Sequence, residues 1–319
     1  MSLRVAVQMD PLESIAIAGD ATFALMLTAQ ARGHRLFHYG ADALAYEDGR
    51  VRALARPVTV QRVEGNHFTA GEPVTLDLAD DVDVVLMRQD PPFDIAYITA
   101  TYLLERIATE TLVVNDPRSV RDAPEKLFVL DYARFMPPTL ITRSLTELRA
   151  FHAKHGEIVV KPLHGNAGAA VFRIGRDGSN LAALAELFGS VWREPFMAQA
   201  FLPAVADGDK RIVLVDGEIA GAINRRPGKG EIRSNLAAGG SAEATELTDQ
   251  EREICAALGP ELKRRGLIFV GIDVIGGHLT EINVTSPTGI LAIDRFNGSD
   301  TPALIWDAIE TRLAARTHT

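Results

Sequence analysis

Apolar positions along the chain switch repeatedly between short unbroken runs and helix-spaced repeats. Residues 3–9, "LRVAVQM", form a run of the length expected for a buried strand. Asp20 is placed to cap a helix through Gln30, with Gly33 as its stop. "RLFHYG" predicts a second strand. Residues 45–77 read as hairpins and loop, turning at Asp48-Gly49 and Glu64-Gly65-Asn66. "VDVVLMR", 82–88, predicts another buried strand. Asp94 then precedes a helix to about Ala108, and "TLVVN" follows. Strands alternating with helices predict a mostly parallel, layered α/β unit.

The pattern changes further on. Residues 117–132 predict short helices, and Pro137-Pro138 marks a linker. Ser144 and Glu147 have capping-box spacing and open a helix to about His155. "EIVVKPL" and "AVFRI" read as strands either side of a Gly-containing loop, with a helix near 180–189. Asp216-Gly217 turns "RIVLV" into "EIAGAI". Thr248 and Glu251 form a second capping box, and its helix ends near Gly266. Hairpins interleaved with helices predict an α+β part, with the boundary near residue 123. The fold class is therefore α/β, with α+β character in the C-terminal part.

Composition narrows the function. With 319 residues, 47% of them hydrophobic, the chain can bury a core and more than one domain. A net charge of −9 argues against a broad basic face for nucleic acid. The single cysteine, Cys255, excludes an intramolecular disulfide framework and a Cys-rich zinc site. It lies in an apolar helical pattern, which predicts packing rather than nucleophilic work. No run approaches the roughly 20 apolar residues that span a bilayer. "MSLRVAVQMD" leads straight into a strand without a signal-peptide pattern, so a reducing cytoplasm is the simplest home.

The candidate chemistry begins in "LIFVGIDVIGGHLTEINVTSPTG", 267–289. Burying Val270, Ile272 and Val274 together with Ile282 and Val284 predicts a hairpin with Val274 opposite Thr280. That requires a three-residue loop, Gly276-Gly277-His278. The same register sets Asp273 opposite Glu281, with Asn283 on the same face. Adjacent carboxylates repel unless a cation joins them. An all-oxygen set of this kind suits Mg²⁺ held partly by phosphate oxygens and water.

Phosphate chemistry is suggested without a standard loop. There is no G-x-x-x-x-G-K-[ST] and no G-x-G-x-x-G after the first strand. Lys161 instead enters Gly165-Asn166-Ala167-Gly168, whose backbone N–H groups can meet phosphates. Alone, this is also the pattern of an ordinary hairpin beside an edge lysine. Asp209 and Arg211 open a strand; Arg211 suits either charge developing on a phosphoryl group or a surface salt bridge, and spacing does not choose. "NRRPGKGEIRSNLAAGG", 224–240, is too long for a turn and reads as a loop or lid. Within it Arg225, Arg233 and Asn235 have the chemistry to clamp a carboxylate.

Taken together, these residues resemble the bacterial glutathione synthetases, which are ATP-grasp ligases. The markers are "MDP" (9–11), "MRQDPPFD" (87–94), "RDAPEKLF" (121–128), the 161–173 stretch, "DGDKR" (207–211), "NLAAGG" (235–240) and the hairpin of 267–289. The resemblance implies an N-terminal substrate-binding α/β domain, 1–123, and an ATP-grasp domain, 124–319. The latter would divide into a small subdomain, about 124–200, and a C-terminal one, about 201–319. It implies ligation of γ-glutamylcysteine and glycine, with ATP consumed through an acyl phosphate. By position, Lys126, Lys161, Gly165, Asn166, Gly168, Gln199, Leu202 and Asp209 would bind ATP. Asp273, Glu281 and Asn283 would hold Mg²⁺, with Mn²⁺ a possible substitute, and Arg211 would be catalytic. Arg225, Arg233, Asn235, Ser286 and Thr288 would bind the peptide substrate. A homo-oligomer, in the family a tetramer, is implied, with no nucleic acid or membrane partner. His164 and Ala167 depart from the family loop, and Leu291 and Ala292 depart beyond "SPTG", where acceptor choice would be set. The alternatives are a different amino-acid or peptide acceptor, or a nucleotide-binding paralogue without catalysis.

Overall fold

The computed structural model describes residues 2–316 except 166–167, 229–232 and 235–238. The described chain forms three sheets. The first contains β1 (Arg4–Gln8), β2 (Arg35–Tyr39), β3 (Leu44–Glu47), β4 (Arg50–Val60), β5 (Phe68–Ala70), β6 (Val74–Asp77), β7 (Val84–Met87) and β8 (Leu112–Val114). Its order is β3-β4-β2-β1-β7-β8, and β5 and β6 also pair with β4. The centre is parallel, β1 lying between β2 and β7. Val5, Ala6 and Val7 are fully buried, as expected of a parallel strand covered on both faces. α1 (Ala21–Ala31) and α2 (Ile95–Glu105) are capped as their sequences predict: Asp20 accepts from the Phe23 N–H, and Asp94 from that of Tyr97. The short α3 (Pro117–Arg121) ends this part.

The second sheet contains β9 (Thr139–Thr142), β10 (Ile158–Pro162), β11 (Phe172–Ile174) and β12 (Phe196–Ala200), ordered β11-β10-β12-β9. α4 (Leu145–His155) and α5 (Leu181–Val191) join it in a separate core of residues such as Leu148, Ile158, Leu184 and Phe188. Ser144 accepts from Glu147 as predicted, but its own N–H donates to Thr142 Oγ1, so the capping box is only half made.

The third sheet runs β15-β14-β13-β16-β17. Its strands are β13 (Asp209–Val215), β14 (Glu218–Arg226), β15 (Ser241–Ala244), β16 (Phe269–Ile275) and β17 (His278–Asn283). α6 (Asp249–Arg264) carries both halves of the Thr248–Glu251 capping box, and α7 (Ile290–Asn297) and α8 (Thr301–Arg316) follow. The stretch expected to be loop from residue 224 begins instead as strand, because β14 continues to Arg226 and pairs with both β13 and β15.

The β16–β17 register corrects the sequence expectation. The loop has two residues, not three: Gly276 (φ +55°) and Gly277 (φ +80°) make the turn, and Ile275 faces His278. A two-residue turn alone would set Asp273 opposite Thr280. Thr280 is instead an extra residue, a β-bulge, and Asp273 returns opposite Glu281. The reason is burial. The bulge sets Leu279 opposite Val274 and into the core, where it is fully buried. The three-residue loop would have buried Thr280 there, forgoing the about 1.5–3 kcal/mol of a buried leucine side chain.

Asn115, just after β8, links the first sheet to the third. Its amide donates to Phe269 O (2.7 Å) and Val284 O (2.8 Å), and its oxygen accepts from the Phe269 N–H (2.9 Å). Among the described residues, no helix is long and apolar enough to cross a membrane.

Candidate active site

A cavity of about 420 Å³ lies between the second and third sheets, a size suited to a small-molecule ligand. One wall is apolar, with Val159, Phe201, Leu202 and Ile275. The floor is charged and comes from β13, β14, β16 and β17. Asp90 and Pro91, from the loop after β7, also line the cavity.

Of the residues marked by sequence, Asn166 and Asn235 lie outside the described residues. So does Ala167, and all the other residues given a binding, metal or catalytic role line this one cavity, from Lys126 to Thr288. Strand alternation does most of the gathering. Asp209 faces Arg225 across β13–β14, Arg211 faces Asp273 across β13–β16, and Asp273 faces Glu281 across β16–β17.

Charges alternate across this floor. Arg211 donates to both oxygens of Asp273, at 2.7 and 3.2 Å, and to Thr288 O at 3.2 Å. Arg225 lies 2.6 Å from Asp209 and 3.0 Å from Asp273. It is only 4% exposed, and these ion pairs are with the protein's own acids. Lys161 lies 3.1 Å from Glu281, and Lys126 lies 3.5 Å from it. Lys126 also donates to Gly165 O at 2.6 Å.

These pairings set the ionisation. Burial alone would raise the Asp273 carboxyl; Arg211 and Arg225 outweigh it and hold the group well below the usual carboxylate range. Burial likewise opposes ionisation of Glu281, but Lys126 and Lys161 keep it low. Both carboxylates are thus charged at neutral pH. Asn283 completes the set, its amide 3.4 Å from Asp273. Two ionised carboxylates and an amide, all on oxygen-bearing side chains of one hairpin face, fit a hard divalent cation. Asp209 differs: burial outweighs Arg225 and raises it.

Some residues did not stand out in the sequence. Glu125, beside Lys126, lines the cavity, and burial pushes its carboxyl up to about 7. Its only sequence signal is its place in "PEKLF". Ser234 is 3% exposed and bonded to Asp209, signalled only by adjacency to Arg233. Thr280 enters the cavity through the bulge. Other expectations moved. His164 lies beside the cavity rather than in its lining, stacked on Phe93 with ring centroids 6.0 Å apart. Leu291 and Ala292 pack against the core and do not line the cavity.

Comparison with known proteins places this chain in a family. The family model "Prokaryotic glutathione synthetase, N-terminal domain" matches residues 3–121, and "Prokaryotic glutathione synthetase, ATP-grasp domain" matches 125–298. The chain belongs to the prokaryotic glutathione synthetase family. Among members of that family, the glutathione synthetase of Rhodopseudomonas palustris is 58% identical, over 98% of this chain and all of its own length. That of Bradyrhizobium diazoefficiens is 56% identical with the same coverage. The Pseudomonas putida protein is 44% identical over 99% of this chain and 100% of its own. The D-cycloserine synthetase DcsG shares the fold with a TM-score of 0.69 at 18% identity, covering 97% of this chain and 99% of its own. The ATP-grasp ligase PsnB shares it at 0.64 and 19%, covering 99% and 100%. The α/β architecture of an N-terminal domain followed by an ATP-grasp fold, expected from sequence, is the one observed. Whole-length identity of this order supports the ligase reading and favours neither alternative.

Proposed function

We propose that this protein joins γ-glutamylcysteine to glycine, converting ATP to ADP and phosphate and releasing glutathione. The observation that carries the reading is the facing pair Asp273 and Glu281, with Asn283 beside them, in a cavity also lined by Lys126, Lys161 and Arg211. The cysteinyl carboxylate takes the γ-phosphoryl group, and the C–O bond of the acyl phosphate is then broken by the glycine amine. The amide forms, phosphate leaves, and the amine's proton passes to solvent or base.

Each group has a part in this. Lys126 and Lys161 offset phosphate charge. The apolar wall at Val159, Phe201 and Leu202, with Gln199, suits the adenine, and Asp209 the ribose. Asp273, Glu281 and Asn283 hold the divalent ion, for which Mg²⁺ is the best match and Mn²⁺ a substitute. When bound, that ion neutralises phosphate charge and acts as a Lewis acid. Arg211, fixed by Asp273 and by Thr288 O, stabilises charge building on the transferred group. Arg233, Ser286 and Thr288 supply the peptide end. No Ser/His/Asp machinery is required, because an acyl phosphate is already activated. The sheets support a division near residue 123: the second sheet falls within 124–200 and the third within 201–319.

The test is ADP release from the purified chain. It is expected only when γ-glutamylcysteine, glycine, ATP and a divalent metal are all present. Equal release with glycine omitted would refute the ligase reading.

A further inference from the structure

Ser234 sits where two parts of the site meet. Its Oγ donates to Asp209 Oδ2 at 2.8 Å in a buried setting. Arg225 donates to that same oxygen at 2.6 Å. Asp209 Oδ1 is buried and has no partner among the described residues. One oxygen of Asp209 is therefore doubly held, which fixes the carboxylate's rotation. The hydroxyl also ties the 233–234 segment to the first residue of β13, although the two are 25 positions apart in sequence. Arg233, the immediate neighbour, lines the cavity.

We propose that Ser234 is a positioning residue for the peptide substrate: its hydroxyl, anchored on Asp209, sets where Arg233 meets the cavity. This rests on the ligase reading, in which Arg233 receives a substrate carboxylate. The anchor belongs to a longer chain of contacts. Asp209 is joined through Arg225 to Asp273, and Asp273 through Arg211 to Thr288 O. The two segments assigned to the peptide, 233–234 and 286–288, are thus connected beneath the cavity through the carboxylates assigned to ribose and metal. Loss of the Ser234 hydroxyl leaves Asp209 still held by Arg225. The effect therefore falls on the peptide and spares ATP.

The experiment compares Ser234→Ala and Ser234→Thr in the full-length enzyme, with each substrate varied at saturation of the others. Ser234→Ala is expected to raise KM for γ-glutamylcysteine about 10-fold, the scale of one lost hydrogen bond to a charged group. Its kcat and its KM for ATP stay within about 2-fold of the parent, since that interaction is uniform binding of one substrate. Ser234→Thr keeps the hydroxyl and remains close to the parent. An unchanged peptide KM in the alanine variant, or equal rises in both variants, overturns the role. A parent without glycine-dependent ADP release overturns the ligase reading and this role with it, whereas an active parent with an unaffected alanine variant overturns this role alone.

Discussion

The two hairpins of the third sheet are built alike and do different work. β13–β14 turns at Asp216 (φ +49°) and Gly217 (φ +86°), and β16–β17 at Gly276 and Gly277. Each has a two-residue loop, and each shifts register by one residue a short way down. In the first, Leu214 faces Ile219 but Val213 faces Gly221, so Ala220 is the extra residue. That shift sets Asp209 opposite Arg225 rather than Asn224. In the second, the extra Thr280 sets Asp273 opposite Glu281. A turn alone fixes register near the loop; a bulge resets it where the charged pairs lie. The first hairpin supplies mainly guanidinium groups and the second mainly carboxylates, so their loss is felt in different measurements.

Glu281→Gln cuts deepest. It removes a charge from the acidic hairpin, and glycine-dependent ATP turnover is expected to fall by at least about 100-fold at ordinary metal concentration. Circular dichroism stays parental, and raising the metal recovers part of the loss; normal turnover would refute the metal assignment. Arg211→Met tests the basic hairpin. Its kcat is expected to drop about 100-fold while ATP affinity by calorimetry changes little. Equal losses in both would show that Arg211 binds rather than stabilises the transition state.

The turns differ in what surrounds them, and stability separates them. A Cβ at Gly217 would lie 2.5 Å from the backbone of Gly259 in α6, whereas one at Gly277 would meet the flexible end of Gln250. Both have positive φ. Gly217→Ala is therefore expected to cost about 3 kcal/mol in urea unfolding and Gly277→Ala about 1–2 kcal/mol. Equal costs would mean that the backbone contact at Gly259 yields.

The smallest effect concerns Glu125, whose carboxyl burial raises to about 7. Between its ordinary value near 4.5 and about 7, the unfolded chain has released this proton while the folded chain retains it. Stability is lost across that window as pH rises, and no more is lost above it. Glu125→Gln has no proton to lose. Its thermal midpoint should gain on the parent between pH 4.5 and 7, with the difference then level. A constant difference at every pH would refute the shift.

Much of this was legible in the chain. Alternation in 267–284 gathered Asp273, Glu281 and Asn283 on one face, and Asp20, Asp94 and Thr248 marked true helix starts. The bulge was not legible, because the alternation fixes only which residues share a face and two loop-and-bulge combinations satisfy it at Asp273. β9 and β15 are four-residue strands whose partners are distant, and "SAEA" has no alternation to read. α8 was missed although Ile305, Trp306 and Ile309 give it a buried stripe. Glu125 and Ser234 depend on contacts across the fold, which no local period encodes.

Asn115 has a mechanical consequence. Three hydrogen bonds lock the end of the first sheet to the start of β16 and to the residue just after β17. Those two sheets also share two hydrophobic clusters, while the second sheet has a cluster of its own and joins one of the shared ones through Met197, with Ile141 packed against it. The first and third sheets thus form one frame, to which the second sheet adds a cluster of its own. The carboxylates and guanidinium groups of the cavity floor, carried on β13, β14, β16 and β17, therefore take their mutual spacing from that frame and not from the second sheet.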